Sequence, residues 1–170
     1  DPSKVKKNNL IIGIESSGAH SNGYSLINKL IKETRLSKDE KEKLIKLALK
    51  PTHLYTNMIL DLVEKVKVKS IANITGGGLA ENIPRSIPKN LSSEIYLDNW
   101  KMPILFKTLQ KLGSISTNDM LRIFNCGIGM TVIIDPKDLN ATMKTLSRNK
   151  FKGYMIGKVI KGCSSKINFI

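Results

Sequence analysis

The sequence predicts an α/β (α+β) domain, a mixed β-sheet with helices packed on it. Short apolar runs rich in isoleucine and valine alternate along the chain with apolar residues at helical spacing. Helix punctuation falls between them: a serine–glutamate capping box, prolines at first turns and a glycine where a helix should stop. Three loops dense in glycine and small polar residues adjoin the apolar runs. With 170 residues, 41% of them hydrophobic, the chain is long enough for one domain with a substantial core.

Residues 1–8 read as a polar lead-in, without the pattern of a signal peptide, and 9–170 as the domain. Leu10 to Ile14 is apolar nearly throughout and is expected as a strand covered on both faces. A helix follows from Tyr24, with Leu26, Ile27, Leu30 and Ile31 on one stripe. Ser37 and Glu40 form a capping box that opens a lysine-rich helix, which ends before Pro51. Asn57 to Val66 is a third helix, with Met58, Ile59, Leu62, Val63 and Val66 expected inward. Ile71 to Ile74 reads as a short buried strand, and a triple-glycine turn leads from it into a helix kept short by Pro84 and Pro88. Glu94 to Leu97 is expected as a strand. Pro103 starts a helix that ends near Gly113, and Ser116 with Asp119 caps another that runs to Ile123. Met130 to Ile134 is a strand, Asp135-Pro136 an N-cap with proline behind it, and Leu139, Met143 and Leu146 the inner stripe of the helix. Tyr154 to Ile160 and Lys166 to Ile170 close the sheet.

The formal charge is +14, which suggests a nucleic-acid-binding module. Against that reading, twenty-four of the twenty-eight basic residues are lysine, spread from Lys4 to Lys166, and aromatics make up 5% of the chain. That is too few for a stacking platform. Lysine, isoleucine and asparagine share A/T-rich codons, so the charge reads as coding bias on a solvated surface with a residual pull on anionic substrates. No apolar run reaches the roughly 18 residues of a membrane span. Neither nucleic acid nor membrane is therefore expected as a partner. Cys126 and Cys163 are far apart and form no CxxC pair, which fits a reduced, cytoplasmic protein with both as small, partly buried residues. Two histidines and two isolated cysteines make no zinc site, and no metal ligand set is assigned within the chain.

The chemistry is expected in the three loops. Ser16 to Tyr24 holds three serine hydroxyls, an amide, an imidazole and two glycines, at a cost in packing that suits a ligand-facing loop. His20 there is either a surface-loop histidine or a ligand contact. Gly76, Gly77 and Gly78 weaken strand and helix alike, and what they supply is positive φ and room for another molecule near the backbone. The free N–H groups of the following helix suit an anion such as phosphate, with Glu81, Asn82 and Arg85 close by. A plain αβ turn would use the same glycines. Gly127 and Gly129 flank a further turn after Asn125, open either to a ligand or to a neighbouring strand.

Taken together, Ser16 to Leu26, Ile74 to Arg85 and Phe124 to Met130 resemble the C-terminal domain of aminoimidazole ribonucleotide (AIR) synthetase, the phosphoribosylformylglycinamidine cyclo-ligase (PurM) of purine biosynthesis. Pro51-Thr52 with Leu54-Tyr55, Trp100 to Gly113 and Ile156-Gly157 also fit, so the resemblance runs from about Asn9 to the end. It implies a PurM C-terminal-domain-like fold, shared with selenophosphate synthetase, thiamine-monophosphate kinase, a hydrogenase maturation protein and formylglycinamidine ribonucleotide synthetase. The activity it implies turns formylglycinamidine ribonucleotide (FGAM) and Mg-ATP into AIR, ADP and phosphate. Another ATP-dependent synthetase or kinase of the same superfamily is the alternative. The resemblance places Ser17, Gly18, His20, Ser21 and Asn22 at the substrate or nucleotide, Thr75, Gly76, Gly77 and Gly78 at a phosphate-approaching turn, and Glu81, Asn82, Arg85, Asn125 and Gly127 along the cleft. His20 is the first candidate for an acid. ATP and Mg2+ are the implied cofactors, with metal ligands mainly from an N-terminal domain outside this chain. That domain is the implied partner and the main dimer contact of a full-length homodimer, and without it these residues are expected to be inactive. Two positions depart from the family. Asn73 stands where a histidine commonly precedes Ile-Thr-Gly-Gly-Gly, and His53 where an arginine commonly follows Pro-Thr. Asn73 cannot act as an acid or base near neutral pH.

Overall fold

The computed structural model describes residues 1–20 and 22–170; Ser21, assigned above to the first loop, lies outside the described residues. Six strands form one mixed sheet: β1 (Leu10–Glu15), β2 (Ser70–Asn73), β3 (Leu91–Ile95), β4 (Ile128–Ile134), β5 (Gly153–Lys161) and β6 (Ile167–Phe169), in the order β2-β4-β1-β5-β3-β6. β1 is central and pairs antiparallel with β4 and β5, β2 is antiparallel to β4, β3 is antiparallel to β5, and β6 is parallel to β3. Hence β1, β2, β3 and β6 run one way and β4 and β5 the other. The carboxyl ends of β1 and β2 and the start of β4 therefore meet at one end of the sheet, where Glu15 stands opposite Ile128 and Asn73 opposite Met130.

Helices cover both faces. Ile12 and Ile14 of β1, with Val132 and Ile134 of β4, pack under α3 (Thr56–Lys65) and α7 (Leu139–Arg148). Ile11 and Ile133 face the other way, against α1 (Tyr24–Glu33), α2 (Lys38–Ala48), α4 (Gly78–Arg85), α5 (Ile104–Leu112) and α6 (Thr117–Ile123). The period-2 alternation of side chains thus sends Ile11 of β1 to one core and Ile12 and Ile14 to the other. Phe106 and Phe124, both fully buried, meet at 5.6 Å between ring centroids in the larger core. Truncating either to alanine should cost about 3–5 kcal/mol. α3 and α7 are clasped by Asp61, which accepts from Arg148 and from the Asn149 amide. These two donors hold the Asp61 carboxyl below its ordinary range.

The caps at Ser37 and Ser116 form as expected: each serine hydroxyl accepts from the backbone N–H three residues on. Five expectations are corrected. β2 is an edge strand, so Ile71 is 39% exposed rather than covered. Val63 is exposed, because α3 rests on the sheet through Met58 and Leu62. The strand expected over Glu94 to Leu97 runs from Leu91 to Ile95 and passes into a 3-10 turn over Leu97–Asn99. Asp135 is an N-cap with Pro136 behind it, but of a 3-10 turn over Pro136–Asp138 that intervenes before α7, and its carboxylate caps nothing: it takes Lys69 at 2.6 Å and the Asn9 amide at 2.8 Å. Cys163 is exposed, while Cys126 is buried and its thiol is pushed up to about 12 by that burial. The stretch before β1 is tied to the domain: Val5 is buried in the larger core, and the Asn8 N–H donates to Val159 O at 2.8 Å.

Candidate functional site

The first loop leaves β1 and doubles back on itself at His20, which adopts φ +52°. Histidine tolerates that left-handed region better than branched residues do. The imidazole is buried and its Nε2 accepts the Ser17 N–H at 3.1 Å. The Ser17 hydroxyl, 3.0 Å from the same nitrogen, donates to Pro51 O at 2.5 Å. With Nε2 an acceptor, the neutral ring carries its proton on Nδ1. Burial, together with His53 nearby, lowers the His20 pKa to about 4, so the ring is neutral at physiological pH.

Behind His20 the wall is aromatic. Tyr55 lies 6.0 Å and His53 6.3 Å from its ring, and Phe151 closes the cluster against both. The Tyr55 hydroxyl donates to Glu15 O at 2.7 Å, and burial raises its pKa. The glycine expected to permit a close approach does so here: a Cβ on Gly129 would stand 2.6 Å from His20 Cε1 and collide with the Tyr55 hydroxyl. Gly129 is also the extra residue of a bulge, since Ile14 stands opposite Met130 and Glu15 opposite Ile128.

Asn125 locks the first loop to the third. Its buried amide donates to Gly18 O at 2.8 Å, and its oxygen accepts from the Ser16 hydroxyl and from the Gly127 N–H, both at 2.9 Å. Ser16 N–H adds a bond to Gly127 O. Gly127 itself needs φ +103° and passes close to Pro103.

The triple-glycine turn follows β2, and the Ile74 N–H ties it to Gly129 O at 3.0 Å. Gly77 and Gly78 take φ +88° and +57°, whereas Gly76 does not need the left-handed region. Gly78 is wedged against the end of α6: a Cβ there would meet Phe124 O at 2.7 Å and Arg122 C at 2.9 Å. Gly76 is open, and the nearest atom to a Cβ there is Asn22 Oδ1 at 4.0 Å. That is where first loop and glycine turn face each other. Asn82 is buried, and its amide donates to Gly78 O at 2.7 Å and Gly76 O at 3.1 Å. It clamps the turn from inside, while Thr75 stays exposed. No side chain caps α4; its Gly78 N–H donates to Thr75 O at 3.0 Å and its Glu81 N–H to Gly77 O at 3.1 Å. Glu81 folds over Gly77 and pairs with Arg85 at 3.3 Å, so carboxylate and guanidinium flank the turn together.

The expected residues therefore come together at one end of the sheet, but in two ranks. Ser17, Asn22, Thr75, Gly76, Gly77, Glu81 and Arg85 are exposed or half-buried at that end; His20, Gly18, Gly78, Asn82, Asn125 and Gly127 are buried and hold the loops in place from behind. Tyr55, Phe151 and Arg122 were not singled out by sequence reasoning. Tyr55 meets His20, and Phe151 meets Tyr55 and His53, only through tertiary packing, and Arg122 meets Gly78 because α6 docks on α4.

The model of the family described as AIR synthase related protein, C-terminal domain, matches residues 6–170. The chain belongs to this family. As an AIR synthase related C-terminal domain it is 43% identical over 173 residues to phosphoribosylformylglycinamidine cyclo-ligase of Staphylococcus epidermidis, and 42% identical to that of Staphylococcus aureus. These alignments take in all of this chain and 50% and 51% of the relatives, so the chain spans about half the length of the curated relatives it matches. Among solved structures, the hydrogenase maturation protein HypE of E. coli superposes with a TM-score of 0.65 at 14% identity, over 98% of this chain and 48% of that one. Thiamine-monophosphate kinase of Stenotrophomonas maltophilia gives 0.62 at 12% identity over 96% and 51%, and T. maritima PurL 0.58 at 14% over 97% and 24%. These likenesses establish the fold of the AIR synthase related domain. No helix among its described residues is long and apolar enough to cross a membrane.

Proposed function

We propose that this chain is the C-terminal half of an ATP-dependent, ring-closing cyclo-ligase that converts FGAM and ATP to AIR, ADP and phosphate in the cytoplasm. The observation that carries the reading is the 42–43% identity to cyclo-ligases along the whole chain. In that reaction the formyl amide oxygen attacks the γ-phosphorus of ATP and ADP leaves. The amidine nitrogen then attacks the formyl carbon, and phosphate departs with the activated oxygen as the imidazole closes. The task is chiefly to hold two phosphorylated molecules and the reacting ends in line.

In this reading the glycine turn, open at Gly76, receives a phosphate at the start of α4, and Thr75, Asn22 and Arg85 contribute donors around it. Asn125, Gly18 and Asn82 keep the loops in register, and Gly127 lets the backbone turn. Ser17 fixes His20, which serves as a neutral donor through Nδ1 rather than as an imidazolium acid. Among the described residues no three His, Cys, Asp or Glu side chains group closely enough to hold a metal ion, so no step is assigned to Mg2+ here. Its ligands, much of the nucleotide contact and the homodimer interface are assigned to the N-terminal half.

The test is an assay of the full-length protein with FGAM and Mg-ATP, following AIR and ADP together. AIR formed in step with ADP supports the reading. ADP without AIR points to a relative with another acceptor, and folded protein giving neither product refutes it.

A further inference from the structure

Between α4, α6 and the edge strand β6 lies a groove of about 540 Å³. Its wall carries the Glu81 carboxylate, the Asn118 amide, the Arg122 guanidinium, and Ile167 and Phe169 of β6. We infer that this groove binds a nucleoside monophosphate, with Arg122 as its phosphate ligand.

The volume suits a small molecule of that size. Arg122 is exposed and has no carboxylate partner among the described residues, whereas Arg85 and Arg148 are both paired. A guanidinium fork matches phosphate oxygens two at a time. Ile167 and Phe169 share one face of β6, are half-buried against the larger core and leave part of their apolar surface in the groove, where a base can rest. Asn118 presents both a donor and an acceptor, and β6 has no strand beyond it, so its outer backbone groups are free to read a base edge. Glu81 is acceptor-only, the chemistry that takes ribose hydroxyls. Ser93 stands opposite Ile167 in the parallel β3–β6 pairing and is fully buried, with a hydroxyl that lacks a partner among the described residues. The net charge of +14 draws any phosphate ester toward this surface. The inference stands apart from the cyclo-ligase reading, since every group it uses lies within this chain.

The test titrates the 170-residue chain with AMP, adenosine and inorganic phosphate by calorimetry at fixed ionic strength, with thermal melts to show that each variant is folded. Arg122→Ala should weaken AMP at least tenfold and leave adenosine unchanged. Asn118→Ala should weaken both AMP and adenosine. Arg35→Ala, which removes an exposed arginine between α1 and α2, should change neither. The inference fails if AMP does not bind at millimolar concentration. It also fails if binding ignores Arg122→Ala and Asn118→Ala, or if Gly76→Ala abolishes it while Arg122→Ala does not, which would place AMP at the three-loop end.

Discussion

At His20 a single ring joins loop geometry to protonation. Its folded pKa of about 4 lies below the ordinary value of 6.5, so the folded state binds fewer protons than the unfolded chain between those values. Its contribution to stability is full above pH 6.5 and is lost as pH falls toward 4. Asp61 and Asp135, held below 3.8 by Arg148 and Lys69 respectively, lose theirs only at still lower pH. Melting temperatures measured from pH 7 to 4 should therefore fall, and His20→Asn, which tolerates the left-handed backbone, should flatten that slope. An unchanged slope would mean that the buried ring does not titrate with the fold. Asn125 acts at the same scale by a different means. Asn125→Ala removes three hydrogen bonds at once and strands a buried carbonyl and N–H, at a cost of about 3 kcal/mol. Denaturant titration should show that loss, and full-length Asn125→Ala enzyme should lose turnover even at temperatures where it stays folded.

At the scale of elements, the three glycines of one turn are unequal, and their neighbours explain why. Gly78 needs positive φ and abuts the backbone of α6, so Gly78→Ala should destabilise by about 3 kcal/mol or block folding. Gly76 needs neither, so Gly76→Ala should leave the melting midpoint within about 0.5 kcal/mol of the parent. Its added methyl projects toward Asn22, and in the full-length enzyme Gly76→Ala should raise KM for a phosphorylated substrate. Equal destabilisation by the two substitutions would refute this account of the turn. The sequence disclosed the turn itself, because GGG between a β-branched run and a short proline-bounded helix leaves few alternatives. It did not disclose which glycine is wedged, since that depends on where α6 stops.

At the scale of the molecule, antiparallel β4 brings the ends of β1 and β2 together, and function is expected at that end. The 170-residue chain alone should show no AIR formation, and adding the separately produced N-terminal half of the same protein should restore it. Turnover by this chain unaided would overturn the division of labour proposed here. The sequence by itself determined the α/β class, the helix caps at Ser37 and Ser116, the covered central strand and the three loops of glycine and small polar residues, because periodicity, capping and glycine clusters are local in origin. Tertiary structure alone decided that β2 lies at an edge with Ile71 exposed, that the Asp135 carboxylate answers Lys69 instead of a helix N–H, and that Asn82 and Asn125 brace their loops from inside. Each of those outcomes depends on which distant segment arrives alongside, and spacing along a chain does not encode that.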